Sequence, residues 1–280
     1  MLADRERITG LGRGVDRTGE LEPDAMDRAL RALEDAVDDA RSLCTHHITA
    51  VGTSALRDAR NRSVFIERAF ERTGVRIEVI SGTREAALTF RGATPGIELE
   101  GPITVIDVGG GSTEIVRGHG EHVLSAHSVD VGSIRLFERH MKTDPPTAEA
   151  LAALDVDIDR AFDRAALIIE PPIVALAGTA CTLAAIARAK DGIHGETALH
   201  GTRLRASELG DMSSKLARMT TQERRALPGM IAGRADVIAA GAMLLARIVA
   251  RANATEIIVS DGGVRWGLAL SRMDSPQSVR

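Results

Sequence analysis

Val105-Ile106-Asp107-Val108-Gly109-Gly110-Gly111-Ser112-Thr113-Glu114 decides the reading of this chain. A β-branched run closed by glycine is the pattern of a buried strand. Three successive glycines then let the backbone turn so that several N–H groups point into one concavity, a nest suited to phosphate oxygens. Asp107 stands in the strand just before the turn, where a carboxylate can hold Mg²⁺ directly or through water. Ser112 and Thr113 offer hydroxyls, and Glu114 a further carboxylate. A glycine-rich turn with an incidental acid is the plain alternative, and the preceding strand with its Asp favours the phosphate reading.

Outward from that segment the same device recurs. Ile48–Val51 leads into Gly52-Thr-Ser, Val75–Ile80 into Ser81-Gly-Thr-Arg-Glu, Ile173–Ala177 into Gly178-Thr179, and Ile257–Ser260 into Asp261-Gly-Gly. Helical spacing fills the intervals: Leu21–Leu43 with Pro23 near its start, Arg62–Thr73, Arg84–Arg91, Thr147–Ala166, Ala180–Ala189 and Arg234–Ala252. Strands alternating with helices predict an α/β protein with a substantially parallel sheet. Ligands of such sheets collect at the carboxyl ends of strands, where these turns lie. Two prolines and two glycines between Ala93 and Pro102 predict a boundary, giving lobes over 1–98 and 99–266.

The other turns are weaker singly. Glu85, beside Arg84 at a helix start, can orient water as a general base, although a first-turn acid is also what the helix dipole favours. Arg57, Arg60 and Arg62 read equally as a basic wall for a polyanion or as a solvated helix face. Gly178 and Thr179 open a helix whose amides can face an anion, and a tight turn is their simpler reading. The histidines, His46-His47 and the set His119, His122 and His127, lack metal-ligand spacing. No GxGxxG, GxxxxGK[ST] or GxSxG motif is present.

Composition sets the bounds. The chain has 280 residues with 44% apolar, 26% charged and a net charge of −4, which argues against a disordered tail or a general nucleic-acid polycation. Aromatics are 2%, so stacking platforms for single strands are scarce. Lysine is confined to Lys142, Lys190 and Lys215, so arginine carries the positive charge. No apolar run approaches a membrane span and no apolar leader opens the sequence, which predicts a cytoplasmic protein. Cys44 and Cys181 stand apart, as reduced thiols in or near the core.

Together GLGRGVDRTGEL, VGTSALRDARN, VISGTREA, VIDVGGGSTEIV, SVDVGSIRLFERH, ALAGTACTLAAI, PGMIAGRADVIAAGAMLLA and IIVSDGGVRWGLAL run in order from Gly10 to about Leu270. They resemble the exopolyphosphatase/guanosine pentaphosphate phosphohydrolase (Ppx/GppA) family, in its short two-domain branch. The resemblance implies an actin-like, sugar-kinase-like α/β fold of two lobes with the site in the cleft between them. It implies Mg²⁺-dependent release of terminal phosphate from inorganic polyphosphate or guanosine pentaphosphate. By position Glu85 matches the family's water-activating glutamate and Asp107 its metal-associated aspartate. Gly109, Gly110, Gly111 and Ser112 match a phosphate loop, and Glu114 the acid after it. Thr113, Arg57, Arg60, Arg84, Gly178 and Thr179 then complete a phosphate-binding set. A homodimer, and a C-terminal segment 267–280 returning to the first lobe, follow by family analogy. Family members open with a further loop, Asp-x-Gly-[Ser/Thr]-Asn-Ser, and this chain starts after it. The expectation is therefore a first lobe truncated at its N-terminus, with a catalytically weak polyphosphate- or alarmone-binding regulator as the alternative function. Trp266 stands where the family usually has an acid.

Overall fold

The computed structural model describes residues 5, 7–45, 47–120, 122–190, 199–231 and 233–273. His46 and the stretch 274–280 lie outside them. The chain divides into two compact units, Met1–Ser81 and Gly82–Arg280. The second unit begins at α5 below, seventeen residues before the boundary expected between 98 and 99, because α5 packs on the second unit's sheet.

In the first unit, α1 (Val15–Thr18) and α2 (Pro23–Ser42) are followed by β1 (Ala50–Gly52), α3 (Ser54–Asp58), α4 (Arg62–Thr73) and β2 (Ile77–Val79). The two strands pair in parallel, Ala50 opposite Ile77. Leu21, Met26, Leu30, Leu56, Phe65 and Ala69 form the core between helices and strands. Asn61 clamps it: its side chain accepts from Leu21 N–H at 2.9 Å and donates to Leu21 O at 3.0 Å. Proline at the first turn of α2 and Gly74 in the left-handed region after α4 (φ 71°) set the helix ends.

The second unit runs α5 (Gly82–Ala93), β3 (Ile103–Val108), β4 (Thr113–His119), β5 (His122–Val129), α6 (Ser133–His140), α7 (Ala148–Ala165), β6 (Ile173–Leu176), α8 (Ala177–Lys190), β7 (Thr202–Arg205), α9 (Ala206–Arg218), α10 (Thr221–Arg225), α11 (Ile238–Arg251), β8 (Glu256–Val259) and α12 (Val264–Met273). Its sheet order is β5-β4-β3-β6-β8-β7. The parallel expectation holds only for the pairs β3–β6 and β6–β8; β3–β4, β4–β5 and β7–β8 pair antiparallel, so the sheet is mixed. The reason is local: the four-residue glycine turn makes a hairpin of β3 and β4 rather than leading into a helix.

Alternation along the strands serves two cores. Ile106 and Val108 face a large cluster with Leu136, Leu154, Ile158, Phe162, Leu183, Leu244 and Ile248 from α6, α7, α8 and α11. Ile103 and Val105 face Ala86, Phe90 and Ala93 of α5. α12 lies on α5 so closely that a Cβ built on Gly267 would fall 1.8 Å from Leu88 O. At the end of β8 the fully buried Ser260 donates its hydroxyl to Ala93 O at 2.8 Å, tying strand to helix.

Cys44 is exposed rather than near the core, because it follows the last turn of α2 in a left-handed conformation (φ 57°); Cys181 is half-buried. Among the described residues no helix is long and apolar enough to cross a membrane.

An ion-pair ladder joins α7 to α11. Arg247 Nε donates to Asp159 Oδ1 at 2.8 Å, Arg251 Nη1 to the same oxygen at 3.1 Å, and Arg251 Nη2 to Asp163 Oδ1 at 2.6 Å. The hydrogen bond from Arg247 holds the Asp159 carboxyl below its ordinary value. A carboxyl depressed in the folded state stabilises above its unfolded pKa of about 3.9 and stops doing so as pH falls through its folded value. Asp159→Asn is therefore expected to lower Tm by about 2 °C at neutral pH. The gap to wild type should close on acidification below about pH 4. A gap that stays constant through that range, measured by thermal unfolding, would assign the effect to packing.

Candidate functional site

β3 carries Asp107 on the face of Ile103 and Val105, the face α5 covers. Directly opposite on β4 stands Glu114. Paired residues of an antiparallel ladder project to one side with Cβ atoms about 5 Å apart, so two carboxylates share this face. Glu114 is 2% exposed, and its Oε1 accepts from Ser112 Oγ at 2.7 Å and Ser128 Oγ at 2.8 Å. Glu85, 7% exposed, sits in the first turn of α5, next to Ala86, which packs on the same sheet face.

The glycine loop is held from behind. Gly109 N–H donates to Ser112 O at 3.0 Å and closes the hairpin. The first amides of α6 then reach back: Ser133 N–H to Gly109 O at 2.9 Å, and Ile134 and Arg135 N–H to Gly110 O at 2.9 and 3.0 Å. Arg135 Nε takes Gly111 O at 2.8 Å. In a trans peptide the carbonyl of one residue and the N–H of the next point opposite ways. Binding three successive carbonyls on the α6 side therefore aims the amides of Gly110, Gly111 and Ser112 at the other side. Those three amides meet no hydrogen-bond acceptor among the described residues. Thr113 turns inward, its hydroxyl donating to Val131 O at 2.6 Å, so it anchors the loop's exit.

A second constellation lies at the end of β6. Ala177 adopts φ 65°, a conformation that costs a Cβ-bearing residue about 1–2 kcal/mol and that clusters at functional turns. Gly178 and Thr179 follow, both buried, in the first turn of α8. Over Gly178 lies the guanidinium of Arg234: a Cβ built there would sit 1.7 Å from Arg234 Cζ and 2.1 Å from each Nη. Thr179 Oγ1 lies 2.6 Å from the Cβ position of Gly241, in the second turn of α11. Two helix starts and a half-buried arginine thus converge on Gly178 and Thr179. The sequence reading found the glycine and threonine and passed over Arg234, which stands in GRAD, 56 residues later. A glycine after a strand, with an Arg-Ala-Asp just before a long helix, is the pairing that signals it.

The predicted arginines are placed as follows. Arg57 in α3 donates to Ile80 O at 3.1 Å. Arg60 donates to Thr18 O at 2.8 Å, rests on Gly19 and pairs with Glu20 at 3.6 Å, so it braces the α1–α2 turn. Arg84 is exposed in the first turn of α5. Among the described residues no group of three or more His, Cys, Asp or Glu gathers as a metal cluster. The donor set that fits Mg²⁺ is the Asp107–Glu114 pair, since this ion uses one or two carboxylates and completes its shell with water and phosphate oxygens.

Comparison with known proteins gives this geometry a context. The model of the Ppx/GppA phosphatase family matches residues 1–276. Exopolyphosphatase 2 of Mycobacterium tuberculosis is 37% identical over 95% of this chain and 87% of its own length. The guanosine-5'-triphosphate,3'-diphosphate pyrophosphatase of Vibrio atlanticus is 28% identical over 98% of this chain and 54% of its own. Among solved structures, an exopolyphosphatase-like protein superposes with a TM-score of 0.90 at 32% identity, covering 96% of this chain and 91% of that one. The Aquifex aeolicus Ppx/GppA family member gives 0.81 at 28%, covering 99% and 90%. The α/β architecture with its mixed sheet is the actin-like fold of these neighbours. With a family match over nearly its whole length, the chain belongs to the Ppx/GppA phosphatase family.

Proposed function

We propose that this chain is a Mg²⁺-dependent phosphohydrolase that releases the terminal phosphate of a phosphoanhydride chain, inorganic polyphosphate or guanosine pentaphosphate. The observation that carries the reading is the glycine loop: three carbonyls bound behind it, three amides turned forward. That is a cradle for the tetrahedral end of a phosphate chain. The substrate classes follow from the exopolyphosphatase and guanosine pentaphosphate-type relatives.

Phosphoryl transfer asks for positioning and charge stabilisation more than for covalent chemistry. The amides of Gly110, Gly111 and Ser112 grip the terminal group. Arg234 and the start of α8 offer a second cationic grip at Gly178 and Thr179. Glu85 accepts a proton from water and aligns its oxygen with phosphorus. Asp107, with Glu114 behind it, is the place for the Mg²⁺, which when bound neutralises phosphate oxygens. Glu114 also fixes the loop by accepting from Ser112. Arg84, exposed in the first turn of α5, supplies positive charge for the phosphates further along the chain.

The test is phosphate release from long-chain polyphosphate and from guanosine pentaphosphate, with Mg²⁺ and with excess EDTA. Release that EDTA removes and Mg²⁺ restores is expected. Tight binding of either anion by folded protein without release would instead make the chain a regulator that senses its ligand.

Gly178→Ala separates binding from folding. The group it would strike is the movable end of Arg234, so the fold should hold, with Tm within about 2 °C of wild type. The displaced guanidinium should cost about tenfold or more in kcat/KM, the scale of one charged hydrogen bond. A variant with wild-type kcat/KM would remove Arg234 from the site.

A further inference from the structure

Arg224 has a use that burial alone does not explain. It is 1% exposed, in the short helix α10. Its guanidinium is spent on backbone: Nε and Nη2 donate to Met219 O at 3.2 and 3.1 Å, and Nη1 to Ala235 O at 2.8 Å and Asp236 O at 3.0 Å. Asp144, from the stretch between α6 and α7, accepts from Nη2 at 3.4 Å and also from Thr221 N–H at 2.8 Å. Burial lowers the pKa of this guanidinium from its usual value, and Asp144 and Asp236 offset part of that. Taking a charge out of water is expensive, and a well-packed apolar side chain of similar volume stabilises a fold as well or better. A planar fork reaching three carbonyls therefore points to placement rather than to stability.

What it places is specific. Ala235 and Asp236 directly follow Arg234 in the chain. Arg234 O in turn accepts from Val237 N–H at 3.1 Å and Ile238 N–H at 2.9 Å, at the entry to α11. The turn that follows Arg234 is thus fixed twice, through Arg234 O at the entry to α11 and through the two carbonyls that Arg224 holds. α11 itself is anchored in the core through Ile238, Leu244, Leu245 and Ile248, independently of Arg224.

We propose that Arg224 is the positioning residue that holds Arg234 against Gly178, so that the site's second cationic grip is set by a buried arginine that never meets the substrate. The inference rests on the reading of Arg234 as a phosphate ligand. Without Arg224 the carbonyls of Ala235 and Asp236 lose their donor, the turn relaxes, and the Arg234 guanidinium leaves its seat.

The test measures tripolyphosphate affinity by calorimetry, with kcat and KM for phosphate release, in Arg224→Met, Arg224→Lys, Arg234→Ala and the double variant Arg224→Met/Arg234→Ala. Thermal unfolding is followed alongside. Arg224→Met should weaken tripolyphosphate binding about 10-fold or more, close to the loss in Arg234→Ala. The double variant should fall within about twofold of Arg234→Ala alone, since both act through one contact. Arg224→Lys, which keeps a charged donor nitrogen for these carbonyls without the planar fork, should recover part of the affinity. A folded Arg224→Met that binds as wild type, or losses that multiply in the double variant, would overturn the proposal. If Arg224→Met does not fold, Asp144→Asn decides. It should weaken binding about two- to fivefold in the wild-type background and not at all beside Arg234→Ala, and equal losses in both backgrounds would overturn the inference. Wild-type protein that binds tripolyphosphate and releases no phosphate would sink the phosphohydrolase reading alone. Wild-type protein that binds none would sink the assignment of Arg234 and this inference with it.

Discussion

Glu85→Gln should leave a folded protein that binds polyphosphate and scarcely turns it over. Glutamine keeps the volume and reach of glutamate and loses its negative charge and its capacity to take a proton. Glu85 is buried in the first turn of α5, and its neighbour Ala86 packs on the sheet face that carries Asp107. The substitution thus changes chemistry at an unchanged place. General-base catalysis contributes typically about 10²–10⁴-fold, and that is the expected fall in kcat. KM should move by less than about threefold, because the amides and arginine proposed to bind ground state and transition state alike are untouched. Steady-state phosphate release, with Tm to show folding, makes the measurement. A kcat within tenfold of wild type would take Glu85 out of the proton-transfer role, even if the chain proved an active phosphatase.

Gly267→Ala should unfold the second unit at a much lower temperature. The built Cβ falls 1.8 Å from Leu88 O and 2.9 Å from Leu88 Cα, so the obstacle is backbone and no rotamer relieves it. A Cβ built on Gly92 would meet the same junction from the other side, 2.0 Å from Gly263 O and 2.6 Å from Gly267 N. α5 and α12 must separate to admit a methyl group, and α5 is also the helix that covers Val105 and Val116. A cost of about 3 kcal/mol, at the upper end for overpacking, corresponds to a fall of about 6–12 °C in Tm. Gly210→Ala is the control. It lies within α9 with nothing inside 4 Å of its Cβ position, so alanine there should gain about 0.5–1 kcal/mol in helix propensity. If Gly267→Ala melts with wild type, the two helices are not in the contact described.

What could be read in advance follows from the range of the interactions. β3 matches its expected span, because a β-branched run ending in glycine is buried on both faces and says so locally. α4 matches as well, bounded by Asn61 and the left-handed Gly74. β5 left no such mark: His122-Val-Leu-Ser-Ala-His-Ser is exposed along nearly its whole length, so neither alternation nor an apolar run identifies it. α8 starts three residues earlier than its apolar spacing suggested, at a left-handed alanine that propensity does not foresee. α11 starts four residues later than Arg234: Arg234 O accepts Ile238 N–H, but the next two carbonyls, of Ala235 and Asp236, accept from Arg224. In the candidate site the loop and the acid of β3 were legible because each is contiguous. The backing of the loop by α6, the serines on Glu114 and the seat of Arg234 on Gly178 join residues that the sequence holds well apart, and only the fold brings them together.

The pinning of Gly109, Gly110 and Gly111 carbonyls by α6 has a further consequence for the proposed reaction. A loop already locked in its receptive shape sacrifices little freedom when an anion arrives, so its grip is not diluted by ordering. It also does not distinguish a phosphate that ends a chain from one that has just been cut loose. Orthophosphate, still tetrahedral and still anionic, finds the same three amides waiting. Turnover at such a cradle is then governed by departure as much as by cleavage, and accumulating product competes with the next chain end for its place.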